Sequence, residues 1–465
     1  MNQKKVAIIG GGVIGGGWLA RFLLNGWDVN LYDPDPEAER KISEVLANAR
    51  HALPMLYEMA LPAEGRLNHC ATLEKAVRGV AYIQESVPER LDLKQKVFSE
   101  IQAHCPAEAV LASSTSGFKP SDLQQGSQRP EQIMVCHPFN PVYLLPLVEL
   151  VPSKITQDAQ IARAKDILTS VGFYPLHVQK EIDAHIADRL LEAVWREGLW
   201  LIKDGIANTE EIDNAIRYGF GLRWAQMGLF ETYRIAGGEA GMAHFIAQFG
   251  PALKWPWTKL MDVPELTDDL VNTIADQSDA QSGALSIRAL ERLRDNNLVA
   301  MMRALKQQDS AAGQLINAHE KSMRQIAKPS QKMQTIQRNV PVDWTDYNGH
   351  MNESRYGQVF SDAADAVLTN LGMDEAYVAA GHSYFTVETN IKYLEETHAS
   401  EDIMVDTEML LAEGKKLKLA HQMKRVSDGA LLATCDQFLL HVSLETRSSC
   451  VPLSPVANAI RILAQ

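Results

Sequence analysis

A glycine-rich turn near the start of the sequence has the spacing of a phosphate-binding loop. The run from Gly10 to Gly15 fits the pattern G-x-G-x-x-G and lies between an apolar strand and an apolar helix. The first glycine allows a tight turn, the second lets the backbone approach a pyrophosphate, and the third lets the helix pack closely on the strand. The helix N-terminus then presents free N–H groups to the phosphates. The sequence therefore predicts a dinucleotide site formed by Gly10, Gly12, Val13, Ile14 and Gly15.

An acidic residue follows this turn at the interval expected for a ribose-binding carboxylate. Asp33 lies 18 residues beyond Gly15, at the end of the second predicted strand. A carboxylate there would repel a 2′-phosphate, so NAD is the expected cofactor rather than NADP. The alternative, a glycine-rich turn without a ligand, is disfavoured by the combination of strand, helix and acid.

Three later stretches carry polar side chains where further strands of the same sheet are expected to end. They are Ser113–Ser116, Cys136–Pro141 and Leu147–Glu149. Oxidation of a secondary alcohol needs a base that takes the hydroxyl proton while the hydride leaves, and histidine suits that role at neutral pH. A carboxylate fixes the histidine tautomer, and Ser or Asn can bind the substrate oxygen. Taken singly, each of these side chains is better explained by a structural role: His137 as a strand cap, Glu149 as a surface charge and Ser116 as a turn residue.

The elements that must hold these residues alternate between strand and helix, which predicts a doubly wound α/β domain over residues 1–180. From about Glu181 long helical patterns follow, among them Glu210–Tyr218 and Leu285–Leu305, and predict an all-α domain over residues 181–328. The predicted strands are Val6–Ile9, Val29–Tyr32, Tyr82–Ile83, Val110–Ala112 and Ile133–Cys136.

A short polar stretch from Ala327 to Lys332 contains a proline and predicts a linker. Beyond it, one apolar helix face from Tyr356 to Leu371 precedes strands with strict alternation. We expect Phe385, Val387, Thr389, Ile391 and Tyr393 to share one side of a strand, and two further strands lie over Leu417–Met423 and Leu432–Val442. This pattern predicts a third domain of α+β class over residues 333–465.

Composition and charge exclude several classes of protein. The 465 residues are 46% hydrophobic and carry a net charge of −13, and neither the first 332 residues nor the remainder is basic, which argues against nucleic-acid binding. No apolar run reaches about 18 residues, so no membrane-spanning helix is expected. The N-terminus lacks the pattern of a secretory signal. Five scattered cysteines without a CxxC pair predict reduced thiols in a cytoplasm and no metal site.

Taken together, the glycine-rich turn and the stretches around Ser116, His137 and Glu149 resemble the 3-hydroxyacyl-CoA dehydrogenase superfamily over about residues 4–320. The resemblance implies a Rossmann domain followed by a helical domain that dimerises. It implies that His137 is the general base and acid, Glu149 its partner, and Ser116 and Asn140 hydrogen bonders to substrate. It also makes Glu89 a cofactor contact.

The sequence departs from that superfamily at Asp188, where members usually carry Asn before Arg-Leu. A carboxylate suits a cationic substrate better than an anionic acyl-CoA or sugar acid. Together with the stretches around Ser116 and His137, the sequence around Asp188 is most similar to the L-carnitine 3-dehydrogenase branch of that superfamily. This similarity implies NAD-dependent oxidation of L-carnitine. Arg223 is a candidate partner for the substrate carboxylate. Aromatic faces hold quaternary ammonium groups, and the candidate cage residues are Tyr143, Trp195, Trp200 and Trp224.

The stretch from Asp346 to Asn352 resembles the hot-dog acyl-CoA thioesterases, over about Lys332–Leu444. Asp346 matches their catalytic carboxylate, and Asn348 and His350 are matched polar positions. Backbone N–H groups over Gly349–Met351 are expected to polarise the thioester carbonyl. Beside a carnitine dehydrogenase, this domain implies hydrolysis of betainyl-CoA to glycine betaine and CoA.

Two alternatives remain open from the sequence. The first is an L-3-hydroxyacyl-CoA or L-gulonate 3-dehydrogenase whose hot-dog domain is inactive and serves dimerisation. The second is a binding protein in which the Rossmann fold is kept as a structural or sensor module.

Overall fold

The computed structural model describes residues 4–57, 59–236, 241–251, 258, 265, 267–282, 284–326 and 330–463. These residues form two compact units. The first comprises Met1–Leu23, Trp27–Leu46 and Arg66–Leu315, and the second comprises Leu24–Gly26, Ala47–Gly65 and Ile316–Gln465. Residues 327–329 of the predicted linker lie outside the described residues, and the division into three domains stays a prediction.

An eight-stranded sheet forms the centre of the first unit. Its strands are β1 (Lys5–Ile9), β2 (Asp28–Tyr32), β3 (Leu67–His69), β4 (Tyr82–Glu85), β5 (Val110–Ser113), β6 (Ile133–Pro138), β7 (Leu147–Val151) and β8 (Tyr174–His177). Their order is β3-β2-β1-β4-β5-β6-β7-β8. Neighbours are parallel except for β6 and β7, which are antiparallel. The chain reverses its winding at β1 and β4, so the carboxyl ends of these strands form the crevice in which doubly wound sheets bind ligands.

Helices connect these strands and then continue alone through the middle of the chain. Their apolar side chains and the β-strands form a buried core that includes Ile9, Ile83 and Val135. The helices of this part are α1 (Val13–Leu24), α2 (Ala38–Ala52), α3 (Leu73–Val77), α4 (Leu91–His104), α5 (Pro120–Leu123), α6 (Asp158–Ser170), α7 (Ala187–Lys203), α8 (Thr209–Ala215), α9 (Gly221–Ala236), α10 (Gly241–Phe249), α11 (Asp268–Ser282), α12 (Ile287–Gln307) and α13 (Ala311–Ile326).

A five-stranded antiparallel sheet and one long helix form the centre of the second unit. The helix α14 buries Tyr356, Val359 and Phe360 against the sheet, which confirms the predicted helix face. The remaining elements are β9 (Lys332–Asn339), α14 (Glu353–Asn370), α15 (Glu375–Ala379), β10 (His382–Tyr393), β11 (Asp402–Glu413), β12 (Lys416–Arg425), β13 (Leu431–Ser443) and α16 (Val456–Leu463). The strand order is β10-β13-β12-β11-β9.

The predicted alternation of β10 is wrong in one respect. A β-bulge between Thr386 and Glu388 adds one residue to this strand, so Phe385 and Ile391 fall on opposite faces of the sheet. Ile391 faces the core beside Cys435, whereas Phe385 is 40% exposed. Strict period-2 counting along a sequence cannot detect such an inserted residue.

Among the described helices, none has the length and apolar character needed to cross a lipid bilayer. All five cysteines are free thiols. The α/β class with a separate helical part and a C-terminal α+β part agrees with the sequence prediction.

Candidate active sites

Three of the predicted nucleotide residues, Gly10, Gly12 and Asp33, line one cleft in the first unit, whereas Val13, Ile14, Gly15 and Glu89 are not among its lining residues. The cleft has a volume of about 800 Å³ and includes Gly10–Gly12, Asp33 and Ser86–Pro88. It lies beside the ends of β1, β2 and β4, where the sheet changes direction. The structure therefore brings the glycine-rich turn and the acidic residue together, as the sequence predicts.

The three motif glycines have different surroundings. Gly10 has a φ of +98°, and a Cβ there would lie 2.6 Å from the Ser86 carbonyl oxygen. At Gly15 a Cβ would lie 1.8 Å from the Gly10 carbonyl oxygen, so only glycine allows α1 to pack this closely. At Gly12 a Cβ would meet no atom within 4 Å. This open space at the start of α1 fits the approach of a pyrophosphate to the backbone.

Asp33 is held at the edge of the cleft by the backbone. Its Oδ2 accepts a hydrogen bond from the Gly11 N–H at 2.5 Å, and its Oδ1 accepts one from the Asp35 N–H at 2.8 Å. Val13, at the start of α1, is 59% exposed despite its apolar side chain. The N–H groups at the start of α1, the open space at Gly12 and the carboxylate of Asp33 together fit a bound NAD.

Glu89 lies on the loop after β4, close to the cleft. The Thr115 hydroxyl donates a hydrogen bond to Glu89 Oε1, and the Lys94 ammonium lies 3.3 Å from Oε2. Lys94 is buried and forms a second ion pair with Glu85 at 2.8 Å. Burial raises the pKa of Glu85, and Lys94 opposes that shift. This network fixes the loop that carries Glu89 and leaves the glutamate half-exposed.

His137 and Glu149 are direct partners across the antiparallel pair β6 and β7. His137 Nδ1 lies 3.0 Å from Glu149 Oε2, and both side chains are buried. The expectation that Glu149 follows a strand end is wrong, because it lies inside β7. The eight-residue connection over 139–146 is too short for a parallel crossover, so the chain turns back and places Glu149 opposite His137.

Glu149 also binds the start of the helix α7. Its Oε1 accepts hydrogen bonds from the N–H groups of Ile186 at 2.8 Å and Ala187 at 3.0 Å. Burial alone would raise the pKa of Glu149, but the hydrogen bonds from His137 and from these two N–H groups outweigh it and lower that pKa. A charged Glu149 therefore accepts the Nδ1 proton, which leaves the lone pair of His137 on Nε2.

Asp188 lies on the other side of the imidazole, in the first turn of α7. Its Oδ2 is 3.6 Å from His137 Nε2, and its side chain is 18% exposed. Burial raises the pKa of Asp188, with the charge of Glu149 adding to the shift and His137 opposing it. The predicted base, its partner and the unusual carboxylate thus form one group, Glu149–His137–Asp188.

His185 belongs to the same group and was given no role from the sequence. It is fully buried, its ring centroid is 5.5 Å from that of His137, and its Nε2 is 3.3 Å from the Thr115 carbonyl oxygen. Its Nδ1 has no hydrogen-bond partner. Burial lowers the pKa of His185, and the nearby His137 adds to the effect. The only sequence signal was its place three residues before Asp188.

The remaining predicted substrate residues are less closely tied to this group. Ser116 and Asn140 are exposed in the loops after β5 and β6, and Arg223 is exposed on α9. In the part of the chain that the structure describes, no hydrogen bond joins any of the three to His137. Their roles stay predictions.

The candidate aromatic cage is only partly compatible with the structure. Tyr143 is buried, and its hydroxyl donates to Asp295 Oδ2 at 2.5 Å, so its assignment to a cage is wrong. The Lys203 ammonium already lies 4.5 Å from the Trp200 ring centroid. Trp195 and Trp224 are 60% and 37% exposed.

Asp346 lies in a tight turn of the second unit, before α14. Its Oδ1 accepts hydrogen bonds from the N–H groups of Asn348 at 2.8 Å and His350 at 3.2 Å. The His350 Nε2 lies 3.2 Å from Glu396 Oε2. The turn holds Oδ1 of Asp346, whereas Oδ2 accepts no hydrogen bond from the described residues.

The expected role of the N–H groups over Gly349–Met351 is wrong. Gly349 N–H donates to the Asp346 carbonyl at 3.0 Å, His350 N–H to Asp346 Oδ1, and Met351 N–H to the Thr397 carbonyl at 2.8 Å. All three donors are therefore used within the protein. The Asn352 N–H donates to the Trp344 carbonyl at 2.8 Å, so after Met351 the next N–H is that of Glu353, the first residue of α14, for which no acceptor lies among the described residues.

A His/Cys group elsewhere in the second unit brings three ligand-type atoms together, from His382, His441 and Cys450. The Nδ1 of His441 lies 3.0 Å from the Cys450 carbonyl oxygen. A carbonyl can only accept, so this nitrogen carries a proton and has no lone pair for a metal ion. We assign no metal to this group.

Three family models match successive parts of the chain. The model described as 3-hydroxyacyl-CoA dehydrogenase, NAD binding domain, matches residues 5–182. Its counterpart for the C-terminal domain matches residues 185–271. The model described as thioesterase-like superfamily matches residues 340–460.

Named proteins from other bacteria are similar to this chain over most or all of its length. A Ruegeria pomeroyi protein named L-carnitine dehydrogenase/betainyl-CoA thioesterase is 63% identical over 470 residues, covering 100% of this chain and 96% of that protein. A Pseudomonas putida L-carnitine dehydrogenase is 51% identical over 310 residues, 67% of this chain and 96% of that protein. The solved structure of an NAD-dependent dismutase, 5-formyl-3-hydroxy-2-methylpyridine 4-carboxylic acid 5-dehydrogenase, is 25% identical with a TM-score of 0.54, over 65% of this chain and 98% of that one. The chain belongs to the family of fused L-carnitine dehydrogenase/betainyl-CoA thioesterase proteins.

Proposed function

We infer that this chain is a bifunctional enzyme that oxidises L-carnitine to 3-dehydrocarnitine with NAD and hydrolyses betainyl-CoA to glycine betaine and CoA. The observation that carries the dehydrogenase half is the Glu149–His137–Asp188 group beside the nucleotide cleft. The Asp346 turn at the start of α14 carries the thioesterase half. The full-length similarity to proteins with both names supports the pairing.

In the dehydrogenase unit, His137 acts as the general base. Glu149 holds the Nδ1 proton, so Nε2 accepts the proton of the substrate 3-hydroxyl group. Bound NAD supplies the acceptor for the hydride that leaves the same carbon. The imidazolium that results lies between two carboxylates, which stabilise its charge. In the reverse direction the same nitrogen returns the proton to the ketone.

Asp188 is our candidate for recognition of the substrate ammonium. Its carboxylate lies within 4 Å of the reacting nitrogen and not at a distant surface. A carboxylate beside the reacting carbon attracts the quaternary ammonium that L-carnitine carries on the neighbouring carbon. Arg223, Ser116 and Asn140 are proposed to bind the substrate carboxylate and hydroxyl. Glu89 is proposed to contact the nicotinamide half of NAD.

In the thioesterase unit, Asp346 Oδ2 acts as base or nucleophile toward the thioester. The Glu353 N–H at the start of α14 is proposed to polarise the thioester carbonyl, with help from the helix dipole. Asn348 and His350 hold the turn and border the substrate. Water then completes hydrolysis to an acid and a thiol.

We also propose that the protein is a cytoplasmic homodimer. The helical part of the first unit exposes large apolar side chains, including Trp195 at 60%, Tyr218 at 75% and Phe230 at 72%. In the second unit, the 12-residue strand β10 lies at the edge of its sheet. A second copy of the chain would cover both features, which monomers seldom leave exposed.

Two variants test the bifunctional assignment. We expect His137→Gln to lose about 100- to 10,000-fold in carnitine-dependent NADH formation, with NADH binding and thioesterase activity retained. We expect Asp346→Ala to lose thioesterase activity and to retain carnitine-dependent NADH formation. Loss of both activities in either single variant would contradict two independent sites. Full redox activity in His137→Gln would show that this histidine is not the base.

A further inference from the structure

The pocket beside Asp346 has a lining that a neutral acyl chain would not need. It has a volume of about 380 Å³, and its lining residues include the four acids Asp346, Glu353, Glu395 and Glu396. No Lys or Arg lies among the described residues that line it. The aliphatic lining comes from Met351 and Leu394. A pocket built for an apolar acyl group would bury that group among aliphatic side chains.

Two tyrosines give this pocket an aromatic wall. The rings of Tyr356 and Tyr393 meet edge to face, with centroids 5.2 Å apart and an interplanar angle of 89°. Tyr356 is buried in the core under α14, whereas Tyr393 at the end of β10 is 53% exposed. The buried ring packs against the exposed one, and Tyr393 contributes aromatic surface to the pocket lining.

The carboxylates beside Tyr393 are only partly neutralised by the protein. Glu395 lies 3.9 Å from Arg425, but that arginine is closer to Glu401 at 3.3 Å and to Asp428 at 2.8 Å. Glu396 pairs with the imidazole of His350, which carries a charge only when it is protonated. The pocket thus keeps negative charge next to an aromatic face.

We propose, on the basis of the thioesterase function inferred above, that this pocket is a cation site in which Tyr393, Glu395 and Glu396 receive the quaternary ammonium of the betainyl group. A quaternary ammonium donates no hydrogen bond, so it is recognised through ring faces and through nearby negative charge. The site selects a cationic acyl group over a neutral one of the same shape. Because the ammonium nitrogen is one methylene from the thioester carbonyl, an ammonium bound in this pocket leaves the carbonyl close to Asp346, which lines the same pocket.

The test compares betainyl-CoA with 3,3-dimethylbutyryl-CoA, in which carbon replaces the ammonium nitrogen. The two thioesters have nearly the same shape and differ by one charge. We expect the full-length protein to prefer betainyl-CoA by at least about tenfold in kcat/KM. Because the carboxylates are exposed, this preference should shrink as salt is raised from about 0.05 to 0.5 M.

Variants then assign the preference to residues. Tyr393→Leu and the double variant Glu395→Gln/Glu396→Gln should each lower the betainyl-to-isostere ratio by about 3- to 30-fold. Tyr393→Phe, which keeps the ring face, should retain the ratio. The control Glu413→Gln removes an exposed acid of the same unit outside the pocket and should leave the ratio unchanged.

The outcomes separate this inference from the function on which it rests. Equal kcat/KM for both thioesters in the parent protein would overturn the cation site and leave the thioesterase assignment intact. A ratio that Tyr393→Leu leaves unchanged, in a variant that unfolds at the parent temperature, would also overturn it. Hydrolysis of the isostere without hydrolysis of betainyl-CoA would contradict the proposed function itself.

Discussion

His137 lies between two carboxylates with different tasks. Glu149 is fully buried, and its hydrogen bonds favour the charged form, so it holds the imidazole tautomer. Asp188 is next to the reacting nitrogen but too far for a strong hydrogen bond, and its burial disfavours the charged form. Opposite pKa shifts on two acids beside one base are typical of a catalytic site rather than of an ion pair that only stabilises the fold.

Glu149→Gln should harm both catalysis and stability. The pKa of Glu149 is lowered in the folded state, so its charge stabilises the fold above the unfolded value of about 4.5, and this contribution is lost as pH falls through the folded pKa. We expect kcat to fall about 100- to 10,000-fold and stability at pH 7 to fall by about 1–3 kcal/mol. In denaturant unfolding, the difference in free energy of unfolding between the parent and Glu149→Gln should become smaller below about pH 4. A loss that stays constant from pH 7 to pH 3 would contradict this account.

Asp188→Asn should weaken the binding of L-carnitine and stabilise the fold. Burial raises the pKa of Asp188 in the folded state, so its ionised form destabilises the fold above that pKa, and this penalty disappears at low pH. We expect the variant to unfold at a higher temperature than the parent at pH 8, with a gain that shrinks toward pH 4. Its KM for L-carnitine should rise by about tenfold, because an attractive charge is lost. Unchanged KM would show that Asp188 does not bind the ammonium.

At the scale of elements, the glycine-rich turn gives a matched pair of substitutions. A Cβ at Gly15 would collide with the Gly10 carbonyl at 1.8 Å, whereas one at Gly12 meets nothing within 4 Å. We therefore expect Gly15→Ala to lower the unfolding temperature by several degrees, as backbone clashes do. Gly12→Ala should unfold like the parent but bind NADH at least about tenfold more weakly, because the methyl group fills the pyrophosphate space. Fluorescence titration and thermal melts distinguish the two, and tight NADH binding by Gly12→Ala would place the pyrophosphate elsewhere.

The same elements show what the sequence can and cannot predict. The nucleotide site is built from residues that are close in sequence, namely the glycine-rich turn, its flanking strand and helix, and Asp33. Their spacing was therefore sufficient to predict the site. The pairing of His137 with Glu149 was predicted, but the antiparallel strand that achieves it was not, because strand direction depends on the connection length over 139–146. The bulge in β10 had no local signal, and the buried His185 had only its place three residues before Asp188. Strand β9 was missed because its buried residues do not alternate. Strand β11 buries every second residue from Ile403 to Met409, so its alternation was present in the sequence and was overlooked.

At the scale of the whole molecule, the exposed apolar side chains of the helical part and the open edge of β10 predict a homodimer. Light scattering after size-exclusion chromatography should give about twice the chain mass of 51.6 kDa at micromolar concentration. A mass equal to one chain would contradict the dimer. It would leave the catalytic groups as described, since each lies within one unit of one chain.

The central claim is that the first unit oxidises a cationic hydroxy acid. The most direct measurement is NADH formation by the purified full-length protein with NAD and L-carnitine, run beside 3-hydroxybutyryl-CoA and L-gulonate. We expect turnover of L-carnitine, with kcat/KM for either of the other two substrates lower by about 100-fold or more, because neither offers Asp188 a cationic group next to the reacting carbon. Turnover of 3-hydroxybutyryl-CoA or L-gulonate in place of L-carnitine would contradict the account.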